Sequence, residues 1–502
     1  MRARRSRMFD KRIARAESRA GLGTQRFRRR HPEEACVRRV ERFAQRLPAG
    51  RLSVVVTLLA LSVLADVAAL PQVDRVPVPP IRTVRGTVPG VADLPVRAAL
   101  PDVMVMNDGT RVTTAKQWEV RRAEMTRTLL DYATGLMPPP PGNVRGRVIR
   151  AARVLEGAVR YRLVHLSFGP RGALGFDVAI FTPAGRGPLP VIVYPSFTPT
   201  PGAEPLPLMA RPPEQGKGGD ALLVPLGDQT MRRAVAGGPA AVPPPSPLAT
   251  PDGFASASAA VLRRGYAIAT YHYQDTGEDT IGRMADGSWA FRTTRFFPAY
   301  PGYDWGLAAG WAWGLSRAVD FLVGERDIDR TRITAIGHSR IGKAVLIAGA
   351  FDERLAVVAP AGSGAGGTGA YRFNGPAHGG REGLVDMMRK YPNWFAPNLY
   401  PFANDVERLP FDQHWFIALT APRAFISLEG ADDQNCVVHA TQQAWLGAMP
   451  AYTLAGQAGR LGVNYANHRH ALTDDDWAAL VDFADLHLRG LKVDRRFDVF
   501  PE

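Results

Sequence analysis

The chain has 502 residues, 46% of them hydrophobic, which suffices for a large buried core and excludes a disordered or fibrous protein. Its formal charge of +15 is concentrated at one end: residues 1–52 hold 17 of the 62 Lys and Arg against 5 of the 47 Asp and Glu, and the remaining 45 cations face 42 anions, so the folded body lacks the overall charge of a nucleic-acid binder. Only Cys36 and Cys436 are present, which excludes a zinc-type cysteine cluster and, once an export segment is removed, any internal disulfide.

The basic arm runs into residues 52–65, an apolar stretch long enough for the core of an export signal and short for a membrane span. Residues 1–69 therefore read as a basic arm with a signal peptide, and the mature protein as periplasmic or secreted, with no membrane segment left; a membrane anchor or a nucleic-acid arm is the competing reading. Residues 70–100 are rich in Pro and Val without periodicity, as in an extended linker. The domain is expected to start near Pro101, to end near residue 491, and to be followed by a short tail at 492–502.

Periodicity predicts a helix over 114–136 with Trp118, Val120, Met125, Leu129, Leu130 and Tyr132 on its inner face, stopped by four prolines at 138–141. Residues 161–168 and 176–181 alternate as two hairpin strands would, and 190–194 is a continuous apolar run suited to a strand buried on both faces. Similar runs follow at 266–271, 332–336, 355–359 and 423–428, with a strongly amphipathic helix at 305–322 among them. Strand and helix alternation predicts an α/β protein with a doubly wound, mainly parallel sheet in a three-layer sandwich. Residues 198–253, Pro- and Gly-rich, form a long insertion directly after a central strand, where loops border the active site of such sheets.

The stretch Gly337-His338-Ser339-Arg340-Ile341-Gly342-Lys343 joins a β-branched run to a helix-like run. A serine on such a turn is held out at the tip of the sheet, at a helix N-terminus able to receive an oxyanion, as in the nucleophile elbow of α/β-hydrolase folds. Ile341 stands where the second glycine of that motif belongs, and Gly342 follows one residue later; a plain helix N-cap serine is the alternative. In chain order the acid should come next and the histidine last. Among the later histidines His470, in the loop before a final helix at 474–488, is favoured and His468 is its near rival. Glu429, Asp432 and Asp433 follow the strand at 423–428; Asp433 fits a turn closing on Gly430, and the choice between Asp432 and Asp433 stays open.

These residues resemble bacterial glucuronoyl esterases, carbohydrate esterase family 15. The resemblance rests on Trp311-Ala312-Trp313-Gly314-Leu315-Ser316-Arg317, the elbow, Ser363-Gly364-Ala365-Gly366-Gly367, Pro392-Asn393-Trp394-Phe395, Asp412-Gln413-His414 and His470-Ala471-Leu472-Thr473, spread over roughly residues 100–490. It implies an α/β-hydrolase fold without metal or organic cofactor. It also implies hydrolysis of esters of (4-O-methyl-)glucuronic acid in xylan–lignin linkages, with a small-molecule or glucuronoxylan ester as partner. Carried over by position, Ser339 is the nucleophile, His470 the base, Arg340 an oxyanion donor, and Lys343 and Glu382 bind sugar hydroxyls.

Two departures stand out. Where some members place a triad glutamate just before the Ser-Gly-x-Gly-Gly stretch, this chain has Ala361-Gly362, which favours Asp433 as the acid. Where many carry a sugar-lining tryptophan after that aspartate, it has Gln434-Asn435-Cys436. Hydrolysis of acetylated sugars or other carboxylic esters on the same triad is therefore the alternative, and a non-catalytic carbohydrate-binding relic the alternative from another class.

Overall fold

The computed structural model describes residues 82–185, 187–204, 254–284 and 286–501. The expected signal segment and all of the 198–253 insertion beyond residue 204, up to Phe254, lie outside them. The described residues build a nine-stranded sheet from β1 (Arg145–Val154), β2 (Val159–Phe168), β3 (Leu174–Pro183), β4 (Leu189–Ser196), β5 (Ala267–His272), β6 (Ile328–His338), β7 (Leu355–Ala361), β8 (Ala424–Gly430) and β9 (Leu461–Ala466), in the order β9-β8-β7-β6-β4-β5-β3-β2-β1. Strands β4 to β9 run parallel and β1 to β3 continue the sheet antiparallel.

The central strands are apolar on both faces because helices cover both sides. One face packs α3 (Leu307–Leu322) and α4 (Arg340–Phe351), and the other α2 (Phe254–Arg263) and α8 (Asp474–Arg489). Alternate residues of one strand enter the two cores: Val191 and Val193 of β4 join the first, Ile192 and Tyr194 the second. At 20–25 cal/mol per Å² of apolar surface, each such fully buried side chain contributes roughly 1.5–3 kcal/mol.

Helix α1 (Ala115–Leu129) starts at Thr114, whose hydroxyl accepts the Gln117 N–H while the Gln117 carboxamide returns to the Thr114 N–H. Its inner face is Trp118, Arg121, Met125 and Leu129. Val120, expected there, is 53% exposed, because two residues past Trp118 lies about 200° round the helix. Within the expected linker, residues 82–100 lie along the domain: the Tyr132 hydroxyl donates to Pro89 O, the Arg97 N–H to Glu407 O and Arg408 to Leu94 O. In the tail, Phe497 is buried and its carbonyl accepts the Val463 N–H.

Candidate active site

Strands β6, β7 and β8 are parallel neighbours, and the turns at their carboxyl ends lie side by side. Ser339 sits between β6 and α4 at φ 58°, ψ −124°, a conformation that costs a non-glycine residue about 1–3 kcal/mol and persists only where the surroundings impose it. The glycines allow the crossing: a Cβ at Gly337 would lie 2.8 Å from Ile341, and one at Gly342 would lie 2.9 Å from both Gly337 O and the Ser363 side chain. Gly342 thus takes the close approach, and Ile341, wholly buried, packs into the core beneath the turn.

Held this way, the Ser339 hydroxyl lies 2.9 Å from His470 Nε2, and His470 Nδ1 lies 2.6 Å from Asp433 Oδ2. His470 stands in the loop between β9 and α8, with its side chain 32% exposed, whereas Asp433 is only 2% exposed. The Asp433 N–H closes on Gly430 O, and its Oδ1 accepts the Asn435 N–H. Burial alone would raise the Asp433 carboxyl pKa, but the hydrogen bond and charge of His470 and the Asn435 N–H outweigh it and hold the group below the ordinary value. Asp432 is exposed, which separates the two aspartates. His468, the rival histidine, is turned away: its Nδ1 meets Arg469 O and its Nε2 lies 3.0 Å from Asp476 in the cap of α8.

The ring of His338 packs 4.7 Å from that of His470. Burial, then the nearby positive charge of His470, pushes its pKa down to about 3, so it is a neutral wall. A Cβ at Gly362, where φ is +49°, would lie 3.1 Å from His338 Nε2 and 3.6 Å from Asp433 Oδ2. The position just before the Ser363–Gly367 stretch therefore opens onto Asp433 itself.

Arg340 is the first residue of α4, so its N–H has no acceptor inside the helix. Its guanidinium is fixed by Asp279: Oδ2 accepts from Arg340 Nη1 at 2.5 Å and from the Tyr273 hydroxyl at 3.1 Å, and Oδ1 accepts Trp394 Nε1–H at 2.8 Å. The cation also lies 4.9 Å from the Trp394 ring centre, and Trp394 stacks on Tyr391 at 3.9 Å. Burial would lower the Arg340 pKa, but Asp279 overrides it and the group stays charged. Asp279 lies 60 residues before Ser339 in a segment without periodicity, and no local signal in the sequence marks it.

Lys343 is 5% exposed, one helical turn past Ser339, and its ammonium donates to Ser363 O. Burial lowers its pKa. Glu382 pairs with Lys390 at 3.1 Å, its side chain 17% exposed. Beneath them Glu429 is wholly buried. Its Oε1 accepts from Ser427 at 2.5 Å and Thr368 at 2.8 Å, and burial pushes its pKa up to about 7 against these hydroxyls and the nearby Cys436 thiol. Thr368 in turn holds Ser363 at 3.0 Å, whose carbonyl receives Lys343. The buried Cys436 thiol lies within 4.8 Å of Asp433 and His470.

An elbow serine on a parallel sheet, covered by helices on both faces, defines an α/β hydrolase, and comparison with known proteins narrows the class. The family model "Glucuronyl esterase, fungi" matches residues 240–456. A carbohydrate esterase from an unknown prokaryotic organism is 28% identical over 78% of this chain and 90% of its own length. The 4-O-methyl-glucuronoyl methylesterase of Podospora anserina is 27% identical over 80% of this chain and 68% of its own length. Among solved structures, a promiscuous CE15 esterase from a marine bacterial metagenome superposes with a TM-score of 0.64 at 27% identity, covering 79% of this chain and 98% of its own. The glucuronoyl esterase from Solibacter usitatus gives 0.60 at 26%, covering 79% and 99%. The chain is a carboxylic ester hydrolase, and in sequence and fold it is similar to the glucuronoyl esterases of carbohydrate esterase family 15.

Proposed function

We propose that this enzyme hydrolyses esters of (4-O-methyl-)glucuronic acid, as in xylan–lignin linkages, through an acyl-enzyme on Ser339. The observation that carries the reading is the unbroken chain from the Ser339 hydroxyl through His470 to Asp433, at 2.9 and 2.6 Å. His470 Nε2 takes the Ser339 proton as Oγ attacks the ester carbonyl, and Asp433 orients the ring and stabilises the imidazolium. The Arg340 N–H and its fixed guanidinium face the oxygen that becomes negative, a donor set that strengthens as charge develops. His470 then gives its proton to the departing alcohol, and water reverses the sequence to free the glucuronate.

Lys343 and Glu382 supply charged donors and acceptors for sugar hydroxyls, with the Tyr391–Trp394 stack beside them. In this reading the chain acts outside the cytoplasm after loss of residues 1–69; no helix among the described residues is long and apolar enough to cross a membrane. Hydrolysis of benzyl glucuronate, set against an acetylated xylo-oligosaccharide, tests the assignment: turnover of the acetate alone overturns it. The second reading, a broader ester specificity, is favoured by the loop after Asp433, where Gln434 is exposed and Asn435 and Cys436 serve Asp433, leaving no aromatic side chain there.

A further inference from the structure

Strand β1 is the edge of the sheet. It carries Arg145, Arg147, Arg150 and Arg153 and no acidic residue, and all four arginines are exposed. In register with β2, Arg145 stands opposite Ser167, Arg147 opposite His165 and Arg150 opposite Leu163. Those partners are alternate residues of β2, so they share one face. In an unbroken strand Arg145 and Arg150, five residues apart, would point to opposite faces. A bulge between Val148 and Arg150 inserts one residue and brings Arg150 back to the side of Arg145 and Arg147. Among the described residues none of the three has a carboxylate within ion-pair distance. Asp177, opposite His165 in the next strand, is held by His165 at 2.8 Å, and Arg145 donates only to the neighbouring Val144 O.

Charge on an edge strand also prevents edge-to-edge pairing, but that purpose needs neither a single sign nor a common face. We propose that Arg145, Arg147 and Arg150 form a docking strip for the free uronate groups of an acidic polysaccharide, and hold the polymer while its esterified uronate occupies the catalytic site. This rests on the glucuronoxylan reading above. The antiparallel order of β3, β2 and β1 puts Arg145 at the sheet end where Ser339 lies. β1 is five strands from β6, a separation of about 24 Å at ~4.8 Å per strand. A polymer spans that distance and a monomeric ester does not.

The test uses Ser339→Ala, which stops turnover, with and without Arg145→Glu, Arg147→Glu and Arg150→Glu together, in affinity electrophoresis through glucuronoxylan or through xylan without uronate. The expected result is retardation by glucuronoxylan only, weakened by 0.3 M NaCl and reduced roughly tenfold by the triple substitution, the scale set by three exposed charge contacts. In the Ser339 background the triple variant should keep kcat/KM on benzyl glucuronate within twofold, which also reports that it is folded. Equal retardation of both proteins overturns the proposal, as does equal retardation by uronate-free xylan or tighter binding to duplex DNA than to glucuronoxylan. Failure of the native enzyme to cleave benzyl glucuronate would instead overturn the substrate reading, and is seen separately.

Discussion

Replacing Glu429 by Gln isolates one costly ionisation beneath the candidate site. The carboxyl is wholly buried, accepts from the Ser427 and Thr368 hydroxyls, makes no ion pair among the described residues, and has its pKa raised from 4.5 to about 7 by burial. A carboxyl whose folded pKa is raised keeps its proton longer than the unfolded chain does. Its contribution is therefore fully present below pH 4.5 and is lost as pH rises through about 7. At 1.36 kcal/mol per pH unit, that gap makes the ionised group about 3 kcal/mol worse for the fold at pH 8.5 than at pH 4. Gln keeps a carbonyl for Ser427 and Thr368 but cannot ionise. Urea denaturation of both proteins across pH 4 to 8.5 should show Glu429→Gln gaining on the native chain as pH rises, most steeply between 4.5 and 7, with all other titrations cancelling in the difference. A pH-independent difference, or a gain that grows toward acid, would refute the reasoning.

Three further outcomes follow from the same geometry. Asp433→Asn should lower kcat on a glucuronate ester by about 10³–10⁴-fold, by analogy with loss of the orienting acid in other triads, whereas exposed Asp432→Asn should stay within a few-fold. Asp279→Asn leaves the half-buried Arg340 guanidinium without its counter-charge; it should cost about 1–3 kcal/mol of stability and lower kcat more than it raises KM, and an Arg340→Met background should remove most of both effects. Lys343→Met, which keeps the apolar stem in its buried slot, should raise KM for glucuronate esters about tenfold or more, since a charged hydrogen bond is worth roughly 1.5–3 kcal/mol, with little change in thermal stability.

The parallel core was legible because its strands at 190–194, 266–271, 332–336, 355–359 and 423–428 are apolar on both faces and bounded by turn residues, a pattern set by burial under two helix layers. Strand β1 was not: arginine-rich and exposed along its length, it owes its conformation to the ladder with β2 rather than to any alternation of its own. Helix α7 (Val438–Leu454) was also missed, its apolar residues being spread round the helix and Pro450 lying inside it. At the site, Ser339 could be found from its glycines and flanking strand, and His470 and Asp433 from chain order after β9 and β8. Choosing Asp433 over Asp432 needed burial, which adjacent identical residues do not reveal. Asp279, Trp394 and Tyr273 meet Arg340 only through folding, so no spacing in the chain announces them.

The proposed activity requires Ser339 to be the activated nucleophile of a glucuronate esterase. Treatment with an organophosphate serine reagent, followed by peptide mass spectrometry and parallel assay on benzyl glucuronate, tests this most directly. The expected result is one stoichiometric adduct on Ser339 that rises in step with loss of hydrolysis and fails to form in His470→Ala. Full hydrolysis by an enzyme fully modified at Ser339, or an adduct on another residue tracking the loss, would contradict it.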